Sequence, residues 1–334
     1  MQNIKSLNPE RAPDWQSELA SAITSAEELL EELVLPQLAA RLVHNPAFRL
    51  RVPRRFVAKM QKGNADDPLL KQVLPIAAEN RPYGVNDPVG DLAAMATPGL
   101  LHKYRGRALL VTTGACAIHC RYCFRRHFPY ANANPGKNEW HDAMAYLSTH
   151  QDIHEVILSG GDPLVLDNAK LGRLLTTLEQ IPHIKWLRIH TRLPVVLPSR
   201  IDEELVSLLQ KLRLRKTFVI HANHANELMA DEFAAMHRLQ SSGITLLNQS
   251  VLLKGVNDTA STLIELSNRL YEAGVLPYYL HMLDPVQGAM HFEVSQARAI
   301  ELMESLRVEL PGYLVPRLVR EIPGESSKTA IFTI

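Results

Sequence analysis

The cysteines of this 334-residue chain are confined to one short segment. Cys116, Cys120 and Cys123 form a Cys-x3-Cys-x2-Cys pattern, and the sequence holds no further cysteine. A four-iron, four-sulfur cluster normally takes four thiolates, so three would leave one iron open to bind and reduce a small molecule. The spacing alone also allows a zinc site completed by His119 or His127, or three buried apolar thiols. The clustering favours the iron–sulfur interpretation.

Two further motifs carry groups suited to close contact with a ligand. The segment Ser159-Gly160-Gly161-Asp162 ends a short apolar run, and its glycines expose backbone N–H and C=O groups. By itself this segment could equally be an ordinary turn. Arg125 and Arg126 closely follow the last cysteine, where a guanidinium can clamp a carboxylate in bidentate fashion. In isolation, two adjacent arginines are more often a solvated pair.

A lysine near the end of the sequence could react with an aldehyde. Lys328 closes the small-residue segment PGESSK, which follows a predicted strand. The amine of such a lysine can form a Schiff base with an aldehyde cofactor. Taken alone the motif is weak, because a lysine six residues from the end of a chain is ordinarily solvated.

Alternating strand and helix patterns from about residue 108 would position these motifs. The strand-like runs recur roughly every thirty residues and are separated by amphipathic segments, which predicts parallel βαβ units. The predicted strands are 108–113, 155–160, 186–191, 217–222, 244–253, 276–283 and 313–322. Six units and a last strand favour an α/β fold, a partial (β/α)6 barrel, over a closed eight-stranded barrel. Residues 1–100 are predicted to form a helical N-terminal extension divided at Pro36, and residues 101–334 the barrel with the lysine segment.

The polar motifs follow or end the predicted strands. In βα barrels the side chains at the carboxyl ends of the strands carry the chemistry. After the cysteine segment come SGGDPL, HTR, HANH, NQS and HMLD, at 159–164, 190–192, 221–224, 248–250 and 281–284. The sequence therefore predicts that these motifs meet at one rim and form a single site.

The composition narrows the classes of partner. The 36 Lys and Arg residues balance 35 Asp and Glu residues, giving a formal net charge of +1, which predicts no general affinity for nucleic acid or membrane surfaces. The sequence has no signal-peptide core and no apolar run of about 18 residues. Three cysteines in one loop exclude a disulfide framework and indicate a reducing compartment. We expect a cytoplasmic protein with no membrane association.

Taken in order, the motifs resemble those of the lysine 2,3-aminomutase family, radical S-adenosylmethionine (SAM) enzymes that also use pyridoxal 5′-phosphate (PLP). The resemblance runs from about residue 80 to residue 330 and includes HKYRGRALLVTTGACAIHCRYCFRRHF, ILSGGDPL, IHTRLPVVLPSRI, HANHANEL, LNQSVLLKGVNDT, LPYYLHMLDPVQGAMHF and PGESSK. The chain is most similar to the short bacterial branch that makes β-lysine for modification of elongation factor P. The resemblance implies an isomerase that converts L-α-lysine to β-lysine.

The resemblance also implies which residues bind the three cofactors. The [4Fe–4S] cluster would be held by the cysteines of the motif, Cys116, Cys120 and Cys123. Positions near SAM are matched by Ser159, Gly160, Gly161, Asp162 and Gln249. Lys328 matches the lysine that attaches PLP, Arg107 matches an arginine that binds the PLP phosphate, and Lys103 stands where the family often has a second arginine.

Three residues match positions that bind the amino acid substrate. Arg125 matches the arginine that holds the substrate carboxylate, and Asp284 and Glu321 match two acids that hold the distal ammonium. Glu321 stands where clostridial-type enzymes have Asp. One methylene in a pocket is worth only about 1–3 kcal/mol, so lysine remains the expected substrate, with a poorer turnover.

A second departure concerns assembly. The sequence ends soon after Lys328, and no cysteine is left for the structural zinc that accompanies subunit contacts in longer family members. We therefore expect no structural zinc, and the oligomeric state stays open. The family also implies a functional link to elongation factor P and its lysyl ligase.

Other functions compete at this point. An aminomutase acting on ornithine is compatible with the paired acids, whereas glutamate would call for a basic residue in their place. A non-catalytic iron–sulfur scaffold that delivers substrate for elongation factor P modification belongs to a different class. A zinc-binding module is a further alternative, and it would lack iron and acid-labile sulfide.

Overall fold

The computed structural model describes residues 14–43, 48–131, 133 and 140–332. Within these residues ten strands form one sheet in sequence order. They are β1 Met95–Thr97, β2 Leu100–Tyr104, β3 Arg107–Thr113, β4 Glu155–Gly160, β5 Trp186–Thr191, β6 Arg215–Ile220, β7 Thr245–Val251, β8 Leu276–His281, β9 Arg317–Arg320 and β10 Thr329–Ala330.

The described helices lie before the sheet and between its parallel strands. They are α1 Trp15–Ala20, α2 Ala26–Glu32, α3 Arg54–Val57, α4 Pro68–Lys71, α5 His141–Thr149, α6 Asn168–Glu179, α7 Leu193–Val196, α8 Glu203–Gln210, α9 Ala230–Ser241, α10 Ala260–Glu272 and α11 Gln296–Glu309. Short 3₁₀ turns occur at Pro36–Arg41, Ala77–Asn80, Pro163–Val165, Pro198–Arg200, Ala225–Glu227, Met290–Phe292 and Gly312–Leu314. None of the described helices combines the length and apolar character needed to cross a membrane.

The strand pairing confirms the predicted partial barrel. Strands β3 to β9 pair in parallel, each with its sequence neighbour, and a helix stands between each successive pair. Two parallel neighbours need a crossover connection, because the end of one strand and the start of the next lie at opposite ends of the strands. The described sheet is open, with antiparallel β1 and β2 at one edge and antiparallel β10 at the other. Six βα units and a last parallel strand follow the predicted order.

The boundaries differ from prediction mainly at the edges of the sheet. β4 and β5 have their predicted limits, whereas β9 is four residues long instead of the predicted ten. The preceding residues Gly312–Leu314 form a 3₁₀ turn, which delays the start of the strand. The antiparallel strands β1, β2 and β10 were absent from the prediction. They are two to five residues long and are fixed by pairing with neighbours, not by a local pattern.

From residue 14 to β1, the described residues form the four short helices α1 to α4 and two 3₁₀ turns, joined by loops. α2 ends at Glu32, and Pro36 begins the next 3₁₀ turn, so the predicted division at Pro36 is present. Phe56 of α3 and Leu69 of α4 belong to the same buried apolar cluster as residues of β5 and β6. The N-terminal segment therefore packs against the barrel and shares its core.

Successive residues of a barrel strand face either the apolar core or the interior of the barrel. In β5, Leu187 and Ile189 are buried in the apolar core, whereas Arg188 and His190 line the interior cavity. Successive side chains of a strand point to opposite faces of the sheet. The helices therefore cover an apolar outer face, and a polar inner face is left to bind ligands.

Candidate active site

A cavity of about 540 Å³ lies against the inner face of the barrel. Its walls include alternate residues of the strands, such as Ile157 and Ser159 of β4 and Tyr279 and His281 of β8. Every residue that the sequence analysis assigned to a cofactor or substrate borders it: Lys103, Arg107, Cys116, Cys120, Cys123, Arg125, Ser159, Gly160, Gly161, Asp162, Gln249, Asp284, Glu321 and Lys328. The parallel topology brings these residues together from segments more than 200 residues apart.

The loop after β3 carries the three thiols, and the N-terminal segment holds that loop in place. The backbone N–H of His119 donates to the carbonyl of Arg51, and that of Arg121 donates to the carbonyl of Gln72, both at 2.9 Å. The Arg121 side chain is fully buried and points away from the cavity to the Glu79 carboxylate. Residues 48–79 therefore fix the loop that presents the thiols.

Arg126 contacts protein groups and not the cavity, although the sequence also allowed it to clamp a carboxylate ligand. Its guanidinium donates to the carbonyls of Arg121 and Gly288 and to the Glu79 carboxylate. It does not line the cavity. Only Arg125 of the arginine pair faces the site.

The thiols are free, and each borders the cavity. Burial, followed by the neighbouring thiols, raises the pKa of Cys116 well above its ordinary value and the pKa of Cys123 to about 11. Bound iron would supply the positive charge that keeps such thiolates deprotonated. No group of three or more His, Cys, Asp and Glu residues among those described is arranged to hold a single metal ion. A cubane cluster makes a different demand, because each thiolate binds its own iron.

The two glycines after β4 pack tightly against the start of the cysteine loop. Gly160 has a φ of +107°, which favours glycine, and its carbonyl accepts a hydrogen bond from Tyr130 Oη at 2.9 Å. A Cβ on Gly161 would lie 2.2 Å from the carbonyl oxygen of Ala115. The backbone of this turn therefore approaches the residue before Cys116 more closely than any side chain permits.

We expect Gly161→Ala to destabilise the fold by about 1–3 kcal/mol and to reduce iron uptake, because the backbone before Cys116 must move to admit the methyl group. Gly172→Ala is the matched control. Its Cβ would meet only a Leu208 methyl at 3.4 Å inside α6, where alanine is preferred to glycine. Denaturant unfolding and iron content after anaerobic reconstitution measure both effects. Equal stability and iron content in the two variants would contradict this account of the turn.

Asp162 is held by protein groups on both carboxylate oxygens. Oδ1 accepts from Thr191 Oγ1 at 2.7 Å and from the backbone N–H of Leu164 at 3.0 Å, and Oδ2 accepts from the backbone N–H of Arg192 at 2.7 Å. Burial raises its pKa to about 6, although these bonds oppose the increase. The side chain thus links the turn after β4 to the end of β5. The backbone N–H groups of Gly161 and Asp162 donate to the carbonyls of Thr113 and Ala115, which fixes the turn against the start of the cysteine loop.

One wall of the cavity carries a chain of alternating charges. Glu321 accepts from Lys328 Nζ at 2.6 Å on one oxygen and from Lys103 Nζ at 2.9 Å on the other. Burial alone would raise the pKa of Glu321, but the two ammonium groups lower it to about 2. Glu321 is therefore a stable carboxylate between the two lysines assigned to PLP.

Asp91 continues this chain to Arg125. Asp91 forms an ion pair with Lys103, with 2.5 Å between Nζ and Oδ1, and accepts a hydrogen bond from Arg125 Nε at 2.6 Å. Arg125 Nη1 donates to Ser159 Oγ at 3.1 Å. The sequence predicts only a loop at Asp91 and no function for this residue. Its carboxylate fixes the Nε edge of the guanidinium that is expected to bind the substrate carboxylate.

Asp284 borders the same cavity in a different electrostatic state. Its Oδ1 is buried and accepts no hydrogen bond from the described residues. Burial, and then the charge of Glu321, raise its pKa to about 7. A buried carboxyl oxygen without a partner is costly unless a ligand supplies a donor or a positive charge. Asp284 is therefore suited to accept a cationic group of a ligand.

Three histidines line the cavity, of which one, His281, is buried and two are half-buried. In the sequence they stand out only as parts of motifs. They are His190, His221 and His281, near the ends of β5, β6 and β8. Burial lowers the pKa of each, that of His221 to about 3, so all three are neutral near pH 7. Gln249 Nε2 lies 2.9 Å from His221 Nε2. The position of these histidines after strands was the only signal available in the sequence.

Arg107 lies at the start of β3 and also borders the cavity. Its guanidinium carbon lies 4.7 Å from the centre of the Tyr104 ring. Arg317 and Arg188 border the same cavity, so guanidinium groups from three strands face it, and that of Arg188 is paired with Glu155. Guanidinium groups are well matched to phosphate oxygens.

Comparisons with known proteins agree with this geometry. A model of the Radical SAM superfamily matches residues 110–266, from β3 into α10. An L-lysine 2,3-aminomutase from Escherichia coli K12 is 50% identical over 336 residues, covering 99% of this chain and 98% of that relative. The Haemophilus influenzae enzyme of the same name is 48% identical, with 95% of each chain covered. The chain belongs to the lysine 2,3-aminomutase family. The family predicted from the sequence motifs is thereby confirmed.

The similarity to lysine 2,3-aminomutases covers more of the chain than the superfamily match does. The Radical SAM match includes the three cysteines but ends before Asp284, Glu321 and Lys328. Those residues fall within the full-length similarity to aminomutases, which makes the chain a radical SAM isomerase. An L-lysine 2,3-aminomutase from Clostridium subterminale is 34% identical over 95% of this chain and 77% of its own length.

Proposed function

We propose that this aminomutase converts L-α-lysine to β-lysine with a [4Fe–4S] cluster, SAM and PLP. The observation that carries the proposal is one cavity that brings together three thiols, a lysine amine and two carboxylates in different charge states. Relatives that are 44–50% identical over nearly their full length are named L-lysine 2,3-aminomutase.

The cluster and SAM would occupy the part of the cavity next to the cysteine loop. Cys116, Cys120 and Cys123 would hold three irons, and the backbone of Gly160 and Gly161 would contact SAM beside the open iron. When bound, the reduced cluster and SAM supply a carbon radical that removes a hydrogen atom, and PLP delocalises the unpaired electron of the substrate. Gly160 and Gly161 border the same cavity as the three thiols, which supports this assignment.

PLP would be held by Lys328, Arg107 and Lys103, which border the same cavity. Lys328 would attach the cofactor through its amine, and Arg107 and Lys103 would bind its phosphate. The two lysines have different contacts, which supports different functions for them. Lys103 Nζ donates to Val89 O and Glu321 and forms an ion pair with Asp91, whereas Lys328 Nζ donates to Glu321. Because more groups hold Lys103 in place, Lys103 is suited to act as a fixed charge and Lys328 to react.

The substrate would be held at its two ends. Arg125, already oriented by Asp91, would bind the α-carboxylate, and Asp284 together with Glu321 would bind the distal ammonium. Fixing both ends sets which carbon lies near the radical source. The unpartnered oxygen of Asp284 supports a cationic distal group. His190, His221 and His281 are neutral near pH 7, so they add no charge to the pocket for the substrate.

We further propose that the β-lysine serves modification of elongation factor P by a lysyl ligase. The resemblance to the short bacterial branch supports this use. It would be tested by supplying the reaction product to such a ligase and following the mass of elongation factor P. No mass increase with product that has been identified as β-lysine would count against the link.

An anaerobic assay tests the proposed reaction. Protein reconstituted with iron and sulfide is incubated with L-lysine, SAM, PLP and dithionite, and products are separated by chiral mass spectrometry. We expect β-lysine that disappears when either SAM or PLP is omitted. Formation of 5′-deoxyadenosine without β-lysine would keep the radical chemistry and reject lysine, and L-ornithine run in parallel would then decide the substrate. Neither product from protein with an intact cluster would favour the scaffold function.

A further inference from the structure

A buried arginine donates a hydrogen bond to one of the cavity thiols. Arg192 Nη1 lies 2.7 Å from Cys120 Sγ, and the residue is only 5% exposed. Arg192 directly follows β5, and its backbone N–H donates to Asp162 at 2.7 Å. Its backbone is therefore fixed to the turn after β4, and its side chain reaches back to the cysteine loop.

The guanidinium is oriented by contacts that do not involve the thiol. Nη2 donates to Gln72 Oε1 and to Glu227 Oε2, both at 2.8 Å. Glu227 is fully buried, and its other oxygen accepts from the backbone N–H groups of Asn223 and His224. The rings of Phe56 and Tyr122 lie 5.4 and 5.8 Å from the guanidinium carbon. These contacts aim Nη1 at Cys120 whether or not the sulfur binds iron.

If Arg192 served only to pair with Glu227, its Nη1 would not need to point at the sulfur of Cys120. Arg192 Nε has no acceptor among the described residues, so the guanidinium gives up one hydrogen bond while it directs Nη1 to the sulfur. Arginine remains protonated at every physiological pH, so the charge next to Cys120 is permanent. The neighbouring carboxylate of Glu227 offsets that charge in part.

We propose that Arg192 raises the reduction potential of the iron–sulfur cluster through its hydrogen bond to Cys120, and that Glu227 moderates the effect. The reduced cluster carries one more electron than the oxidised cluster, so a donor and a positive charge at a ligand sulfur stabilise the reduced form. The electron itself comes from an external one-electron reductant. Arg192 thus acts as a positioning and tuning residue through Cys120. The inference rests on the cluster assigned under the proposed function.

An anaerobic redox titration followed by electron paramagnetic resonance tests this without any turnover. At a fixed solution potential, we expect Arg192→Gln to lower the ratio of reduced to oxidised cluster about tenfold. This corresponds to a reduction potential lower by about 59 mV for a one-electron couple. Glu227→Gln removes the offsetting charge and should raise the same ratio severalfold. The control is Arg200→Gln, which removes another fully buried arginine that donates to the carbonyls of Leu164 and Leu166 and touches no thiol.

The opposite signs of the two shifts distinguish tuning from general loosening. Shifts of the same sign in both variants, or an unchanged potential in Arg192→Gln with full iron content, would overturn the inference. If Arg192→Gln cannot retain its cluster, Glu227→Gln decides, and an unchanged or lowered ratio there overturns the inference. A wild-type protein that forms no iron–sulfur cluster would overturn the proposed function and this inference with it. A wild-type cluster with unmoved potentials in the variants overturns this inference alone.

Discussion

Lys328→Ala is expected to lose about 10³-fold or more of aminomutase activity and all covalent attachment of PLP. Lys328 and Lys103 are the lysines that line the cavity in the described part of the chain. Lys103 is held by Val89, Asp91 and Glu321, whereas the amine of Lys328 is released by breaking its contact with Glu321. Borohydride reduction followed by peptide mass spectrometry locates the attachment, and the anaerobic assay measures turnover.

Lys328→Arg is the matched control for charge. An arginine keeps a cation beside Glu321 but has no amine that can attach an aldehyde. We expect this variant to be as inactive as Lys328→Ala while its thermal stability stays close to that of the wild type. Normal turnover in either variant, or a cofactor label on Lys103 of the wild-type protein, would show that Lys328 does not attach PLP.

The parts of the site that the sequence predicts are those set by short spacing or by topology. The cysteine motif lies within eight residues, so its spacing is visible in one segment. Asp284 and Gln249 lie on or after predicted strands, and parallel βα topology brings the carboxyl ends of all such strands to one rim. A pattern of strand lengths and strand-end polar residues is therefore enough to predict the barrel and the location of the cavity.

Residues whose function depends on a partner far away in the sequence could not be predicted in this way. Asp91 pairs with Arg125 across 34 positions, and Arg192 contacts Cys120 across 72 positions and Gln72 across 120. Their significance comes from a partner and not from a motif. Asp91 lies in a tract rich in Pro, Gly and Asn that gave only a loop signal. A local sequence pattern contains no information on which buried charge such a residue will meet.

The two acids expected to bind the distal ammonium show a related limit. The sequence presents Asp284 and Glu321 as equivalent partners of one cation. The structure separates them. Glu321 contacts two lysines and has a pKa of about 2, whereas Asp284 has a buried Oδ1 without a partner and a pKa of about 7. Burial and neighbours set this difference, and neither can be read from residue type.

Asp284→Asn is expected to lower kcat/KM for lysine by about a hundredfold or more, because it removes a buried charge that pairs with the substrate ammonium. The pKa of Asp284 in the wild type is about 7, so its charged fraction, and with it kcat/KM, should rise as the pH increases through that value. The substrate's distal ammonium stays protonated over this range. In Asp284→Asn this dependence should disappear, because an amide does not titrate. Initial rates at subsaturating lysine across the pH range measure both effects.

Asp284→Glu separates the charge from its position. It keeps an ionisable carboxylate with one extra methylene, so we expect partial activity and a retained rise of kcat/KM with pH. The cluster signal and covalent PLP should be unchanged in both variants, since the residues assigned to those cofactors are other than Asp284. A pH profile in Asp284→Asn that matches the wild type would assign the titration to another group. Because burial and Glu321 together hold Asp284 half-protonated near neutral pH, binding of the ammonium must ionise this carboxyl, and substrate affinity is thereby coupled to release of a proton.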